Sequence, residues 1–224
     1  MRSIRATVTG VFFLVAAAAA VAGLALYQPA LSDPGYVLGS GRDGQVLLGG
    51  FLEVLLAASC IGTAVTLYPV LRREEESLAL GYVCGRLLEA AVIVVGIVAT
   101  LSLVTLRQSP ADDGLVAVAR GLIAVHDWTF LVGPGLVIGV NSLLLAVLVH
   151  RSGLVPRWIA RLGLVGGPLV FASSTAVLFG LYSQTSAVAG LAALPVAAWE
   201  MSLAVFLIAR GFRAPAADRE LVAA

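Results

Sequence analysis

Six ionisable residues stand inside long apolar stretches of this chain: Glu53, Arg86, Glu89, His126, Asp127 and Glu200. A charged side chain in a lipid-crossing segment is costly, so each marks either a functional site or a packing contact that requires it. Arg86 and Glu89 are three residues apart, which on a helix makes their side chains neighbours and predicts an internal ion pair. Such a pair serves equally well to tie its helix to the bundle or to act in a site. Glu53 shares a helix face with Ala57 and Cys60, and Glu200 shares one with Ala193, Ala197 and Ala204. These small neighbours turn both carboxyls toward a bundle interior, and neither has a basic partner on its own helix. Burial without a partner favours the neutral acid, and a neutral carboxylic acid in apolar surroundings is a candidate proton donor. The alternative for each is packing glue, a hydrogen bond to another helix.

The sequence His126-Asp127 opens a fourth apolar stretch in which Asp127, Pro134 and Asn141 recur at intervals of seven. On an ideal helix that spacing places them within about 40° of one another. Pro134, between Gly133 and Gly135, is expected to kink this helix and free backbone carbonyls toward an interior cavity. Ser173, Ser174 and Thr175 add hydroxyls at a similar depth, although bonding to their own helix backbone is the commoner outcome. Aromatics gather there too: Phe51, Trp128, Phe130, Phe171, Phe179, Tyr182 and Trp199. An interfacial belt accounts for them, and Tyr182 fits it well. Phe130 and Trp199 stand beside the charges and are candidates to line a pocket, where aromatic faces stabilise a cation. The candidate catalytic residues are therefore Glu53, Glu200, Asp127 and Glu89. The candidate binding residues are Arg86, His126, Trp128, Phe130, Trp199 and Asn141.

The elements that must position these groups follow from composition. The chain is 60% hydrophobic and only 12% charged, against about 25% charged residues in a soluble domain. No water-facing exterior can be built from it. A helix crosses the hydrocarbon core with about 20 apolar residues, and six stretches qualify: Val8–Tyr27, Val46–Val70, Leu78–Val104, His126–His150, Trp158–Leu181 and Ala189–Arg210. The first has an apolar core longer than that of a cleaved signal peptide, so we read it as a signal-anchor helix. The expected fold is all-α, a polytopic bundle of six transmembrane helices forming one integral membrane domain over residues 1–224.

Orientation follows from arginine, since all 14 basic residues are Arg. One side carries Arg2, Arg5, Arg72, Arg73, Arg151, Arg157, Arg161, Arg210, Arg213 and Arg219. The other has Arg42, Arg107 and Arg120, offset by Asp33, Asp43, Asp112 and Asp113. The bias predicts both termini in the cytoplasm of a bacterium, with the chain multi-pass in its inner membrane. Counting from the predicted ends, Glu89 and Glu200 fall near mid-membrane and Arg86 slightly toward the cytoplasm. Glu53, His126 and Asp127 fall in the outer half, which makes the bundle a cup open to the outer leaflet. The segment Asp113–Val125 is expected either to lie on the outer surface or to extend the fourth helix, and the tail Ala214–Ala224 to fray. Gly81 with Gly85, Gly135 with Gly139, and the stripe Ala57, Cys60 and Ala64 allow close helix approach. Cys60 and Cys84 are expected to be small buried residues without a disulfide.

Several chemistries are excluded. Gly39-Ser-Gly41-Arg-Asp-Gly44 matches a dinucleotide fingerprint by letter, but it precedes a membrane helix and lacks the strand such a loop follows. His126 and His150 stand near opposite ends of one helix and no paired Cys/His spacing exists, so neither a metal nor a haem is expected. There is no phosphate-binding loop, and a net charge of +1 without a basic patch gives no nucleic-acid footprint. No cofactor is expected.

Gly85-Arg-Leu-Leu-Glu89-Ala90, Arg151-Ser-Gly-Leu-Val-Pro156-Arg157-Trp158-Ile159, and Glu200 followed by Leu207-Ile-Ala-Arg-Gly211-Phe212 together resemble the bacterial domain-of-unknown-function family 4386. The resemblance spans nearly the whole chain and implies a six-helix membrane fold; it brings no activity and no catalytic residues. The residues themselves suggest a metal-independent acid–base enzyme acting on a lipophilic, isoprenoid-type substrate or lipid. In logic and size, though not in alignable motifs, that is similar to small membrane-embedded terpene cyclases. A small transporter or proton-coupled carrier and a non-catalytic membrane assembly partner are the alternatives.

Overall fold

The computed structural model of the protein describes residues 4–39, 41–110 and 114–213. Arg2, Ser40, Asp112, Asp113 and the tail 214–224 with Arg219 lie outside the described residues. Within them all regular structure is helical. The helices are α1 (Ile4–Leu31), α2 (Asp43–Leu71), α3 (Glu76–Arg107), α4 (Leu115–Leu131), α5 (Ile138–Ser152), α6 (Arg157–Leu178) and α7 (Ala187–Arg210). A short 3-10 turn, Pro34–Leu38, follows α1, and a π-helical turn, Val132–Val137, joins α4 to α5 without a break. Counting α4 to α5 as one helix, six are long and apolar enough to cross a membrane. In lipid an unpaired backbone group finds no water, so uninterrupted helix is the form such sequences take.

Each crossing helix packs on its neighbours in sequence, and α7 returns to α1, so the bundle closes as a ring. The tightest crossings use glycine where a Cβ has no room. A Cβ at Gly167 would lie 2.7 Å from the Gly139 carbonyl oxygen, and one at Gly163 2.7 Å from the Trp199 ring. α1 meets α7 near the end that carries Arg72, Arg73, Arg151, Arg157 and Arg210, where a Cβ at Gly10 would lie 2.6 Å from the Ala204 carbonyl. We call this the Arg-rich end. The opposite, capped end has its own apolar cluster of Tyr27, Ala30, Tyr36, Val37, Val46, Leu103, Val104, Leu115 and Ala119.

Of the two places open to the segment before His126, the structure takes the second: among the described residues it extends the fourth helix and does not form a separate surface helix. Leu115–Ser152 is continuous for 38 residues, about 57 Å at 1.5 Å per residue against a core of about 30 Å. Pro134, expected to kink this helix, sits in a π-helical turn through which the helix stays continuous. The π turn around it widens the backbone, which accommodates a residue without an N–H. Cys60 is buried, but Cys84 is exposed on the outer face of α3.

Candidate intramembrane site

α3 brings Arg86 and Glu89 to the interior on adjacent turns, and both are almost fully buried. Arg86 lies ten residues from the start of α3 and Glu200 ten from the end of α7, which puts both about 15 Å from the Arg-rich end. They meet there. Arg86 Nη2 donates to Glu200 Oε1 at 2.8 Å, and Nη1 donates to the two Glu89 carboxylate oxygens at 3.2 and 3.1 Å. Its Nε donates to the Tyr82 hydroxyl at 3.1 Å, and its guanidinium stacks over the Phe13 and Tyr82 rings. The Tyr82 hydroxyl donates in turn to Thr63 Oγ1. Asn141 Nδ2 closes the cluster by donating to Glu89 Oε2 at 2.7 Å. One arginine thus holds two carboxylates, and four transmembrane helices are tied through six polar side chains. The Arg86–Glu89 pair is as expected from its spacing. Glu200, which has no basic partner on its own helix, pairs with Arg86 of another helix, the alternative left open for it, because α7 delivers it from the far side of the ring.

Glu53 is different. It stands eighteen residues from the end of α2, about 27 Å from the Arg-rich end and so about 12 Å nearer the capped end than Arg86. No hydrogen bond or ion pair reaches its carboxyl among the described residues. It lines a cavity of about 240 Å³ that runs down to Arg86, Glu89 and Glu200. The remaining wall is mainly apolar, with Phe13, Ala16, Ala20, Leu56 and Ile93 from α1 to α3, and Phe130, Pro134 and Ile138 from the fourth crossing. Val21, also in the wall, is 74% exposed, so the cavity opens through the flank of the bundle rather than through either end.

Above it, a second void of about 20 Å³ is lined by Tyr27, Glu53, Gly96, His126, Thr129, Phe130 and Pro134. Glu53, Ile93, Phe130 and Pro134 are common to both. His126 meets the Tyr27 ring edge-on, with centroids 5.9 Å apart, and stacks on Phe130 at 6.3 Å.

Of the ten candidate residues, Glu53, Arg86, Glu89, Phe130 and Glu200 line the cavity and His126 lines the adjoining void. Asn141 supports Glu89 from behind. Three do not converge. Asp127 faces outward with 64% of its side chain exposed, so the stripe it was expected to share with Pro134 and Asn141 is broken. The π turn adds a residue between them, and one residue turns a helix by about 100°. His126 takes the interior position instead. Trp128 is exposed on the outer face, where the belt account suffices. Trp199 is fully buried, but it packs on Gly163 in the core between α6 and α7, away from the cavity. The hydroxyls of α6 stay local, since Thr175 bonds the Phe171 carbonyl and Ser173 accepts from Tyr182.

The sequence reading missed Tyr27, Tyr82, Thr63 and Phe13. Tyr82 precedes Arg86 by one helical turn and was legible by that spacing. Tyr27 stood at the end of a span, where a tyrosine suggests only an interfacial anchor. Nothing local marks Phe13. Also missed was a second ion pair at the capped end. Arg107 donates to both oxygens of Asp43, which also accepts from the Tyr36 hydroxyl at 2.6 Å, and Arg107 reaches the Gly39 carbonyl as well. Asp43 and Gly39 belong to the glycine-rich stretch 39–44 that leads into α2, and that stretch is fastened through them. Burial, then the bond to the Asp43 carboxylate, pushes the Tyr36 phenol up to about 12.

A family model for a domain of unknown function, DUF4386, matches residues 8–211. The chain belongs to that family. The match begins within α1, takes in the other crossing helices whole, and includes every residue of the site. Neither the curated proteins nor the solved structures gave a match. DUF4386 supplies a family but no chemistry, so function rests on the residues.

Proposed function

We propose that the protein takes a lipophilic small molecule from the bilayer into the flank-open cavity and that Glu53 acts on it as a proton donor. The observation that carries this reading is the contrast among the three cavity glutamates. Glu89 and Glu200 are held by Arg86, whereas Glu53 has no partner and faces an apolar wall. A carboxyl so placed suits acid catalysis on an isoprenoid-type alkene, the logic of membrane terpene cyclases. The Glu53 O–H bond breaks and its proton joins one alkene carbon, the π pair forming the new C–H bond. The neighbouring carbon becomes a cation, facing Phe130 and Phe13. An adjacent C–H then gives its proton back to the Glu53 carboxylate, and its electron pair forms the new double bond. Isomerisation or ring closure results with no net proton consumed. Arg86, with Glu89, Glu200 and Asn141, sets the polar floor of the cavity.

The test is turnover of polyprenyl alkenes by the purified protein in lipid nanodiscs in D2O, followed by mass spectrometry. Product carrying deuterium is expected from the wild type, and Glu53→Gln is expected to lower the rate by about 10²–10⁴-fold with unchanged melting. Full activity in Glu53→Gln removes the proposal. By the arginine bias, we also place both termini on the cytoplasmic side of a bacterial inner membrane.

A further inference from the structure

The void between Tyr27, Glu53 and His126 has features that cavity wall alone does not explain. Tyr27 is 1% exposed, yet its hydroxyl has no hydrogen-bond partner among the described residues. A buried hydroxyl left unpaired costs about 1–3 kcal/mol, so such groups are ordinarily satisfied by protein or by ordered water. The void of about 20 Å³ is large enough for one water, which requires about 10–15 Å³ and two to four polar partners. Tyr27 and Glu53 supply two. His126 supplies a third, through its Nε2 side. A Cβ at Gly96, which lines the void, would lie 3.8 Å from His126 Cδ2, the carbon next to Nε2. The other ring nitrogen, Nδ1, lies 3.5 Å from Asp127 Oδ1, and Asp127 is exposed.

We infer that one water molecule occupies this void and that Asp127, His126 and this water form the path by which the Glu53 carboxyl exchanges its proton. The inference rests on the reading of Glu53 as an acid and supplies the means of loading it. The transfer balances at each step. A proton arriving from Asp127 binds His126 Nδ1, the Nε2 proton passes to the water, and the water gives one of its own to the Glu53 carboxylate. Tyr27 fixes the water by hydrogen bonding. The groups facing Glu53 are Tyr27 from α1, His126 from α4 with Asp127 behind it, and, across the larger cavity, Arg86 and Glu89 from α3 and Glu200 from α7. The last three are occupied with one another. The π turn thus has a consequence for function, because it sets His126 inward and Asp127 outward on consecutive residues.

The experiment is infrared spectroscopy of the full chain in lipid nanodiscs. The Glu53 carboxyl band is identified by its loss in Glu53→Gln, and its exchange is timed after a switch to D2O. His126→Phe keeps a ring on Phe130 but carries no proton, and is expected to slow exchange by about tenfold or more. Tyr27→Phe and Asp127→Asn are expected to slow it by less, and His126→Gln substitutes if His126→Phe does not fold. Exchange at the wild-type rate in a folded His126 variant overturns the relay. If exchange slows but Glu53→Gln still turns over substrate, the relay stands and the acid role falls. The converse pair of results keeps the acid and removes the relay. Absence of a protonated Glu53 band at every pH removes both.

Discussion

Among the described residues, two arginine–carboxylate clusters answer different surroundings. At the capped end Arg107 grips Asp43, with Tyr36 as a third member, and the pair is partly open, with 22% and 17% of the two side chains exposed. In the bundle Arg86 holds Glu89 and Glu200, with only 4%, 3% and 18% exposed. The capped-end pair joins the start of α2 to the end of α3, at the same place as the apolar cluster around Tyr27 and Val104. Water screens it, and removing one partner leaves a charge that water can reach. The inner cluster has no such relief. Each member depends on the others, because a charge left alone in the hydrocarbon region costs several kcal/mol. The same chemistry is therefore a fastening in one place and a condition of folding in the other. The difference also sets Glu53 apart as the cavity carboxyl for which no such condition holds, and the proposed acid role rests on that.

The largest expected effect tests that dependence. Arg86→Ala leaves Glu89 and Glu200 facing each other without a cation, and is expected to destabilise the bundle by about 3–5 kcal/mol, measured by unfolding in bicelles. Adding Glu89→Gln and Glu200→Gln to Arg86→Gln is expected to restore much of that loss, since neutral groups hydrogen-bond without a net charge. A triple variant no more stable than Arg86→Ala breaks the comparison, because the charges were then not what the cluster balanced. A smaller effect is expected at the capped end. Arg107→Gln should lower the melting temperature much less than Arg86→Ala. Its difference from wild type should shrink as salt approaches about 1 M, where the screening length is about 3 Å, while the Arg86→Ala deficit stays constant. Equal salt dependence at the two sites contradicts the assignment of one to water and the other to the bundle.

The smallest effect concerns Tyr36. Its folded phenol titrates at about 12 against an ordinary value of 10.0, so the unfolded chain loses its proton first as the pH rises. The stabilising contribution is complete below pH 10 and is lost progressively up to about pH 12. Ultraviolet titration should find a tyrosine transition at about pH 12 that disappears in Tyr36→Phe and moves earlier in Asp43→Asn. A normal transition for Tyr36 removes the carboxylate as part of the cause.

Much of this was legible in the chain. The six crossings follow from runs of apolar residues long enough to span lipid, a local property that each segment carries by itself. The Arg86–Glu89 pair follows from helical spacing alone. Glu200 as the partner of Arg86 was not legible, because the two are 114 positions apart and only ring closure of the bundle lets the side chains from α7 and α3 meet across its interior. The reversal of His126 and Asp127 escaped for a different reason. Periodicity assumes an even helix, and a single wide turn at Pro134 rotates everything before it relative to everything after. Trp199 escaped because an aromatic beside a charge has the same sequence signature whether it lines a cavity or fills the gap over Gly163.

By itself, then, the amino-acid sequence determined the membrane as the solvent, the number of crossings, and the set of charged residues that lipid would not tolerate alone. These depend on transfer free energies summed along short segments, and such sums need no partner. Tertiary structure decided which carboxyl is left without a cation. With one arginine available to three glutamates, the outcome depends on which helices meet at which depth. α3 and α7 meet at the level of Arg86, and α2 presents Glu53 about 12 Å away, beyond the reach of the Arg86 guanidinium.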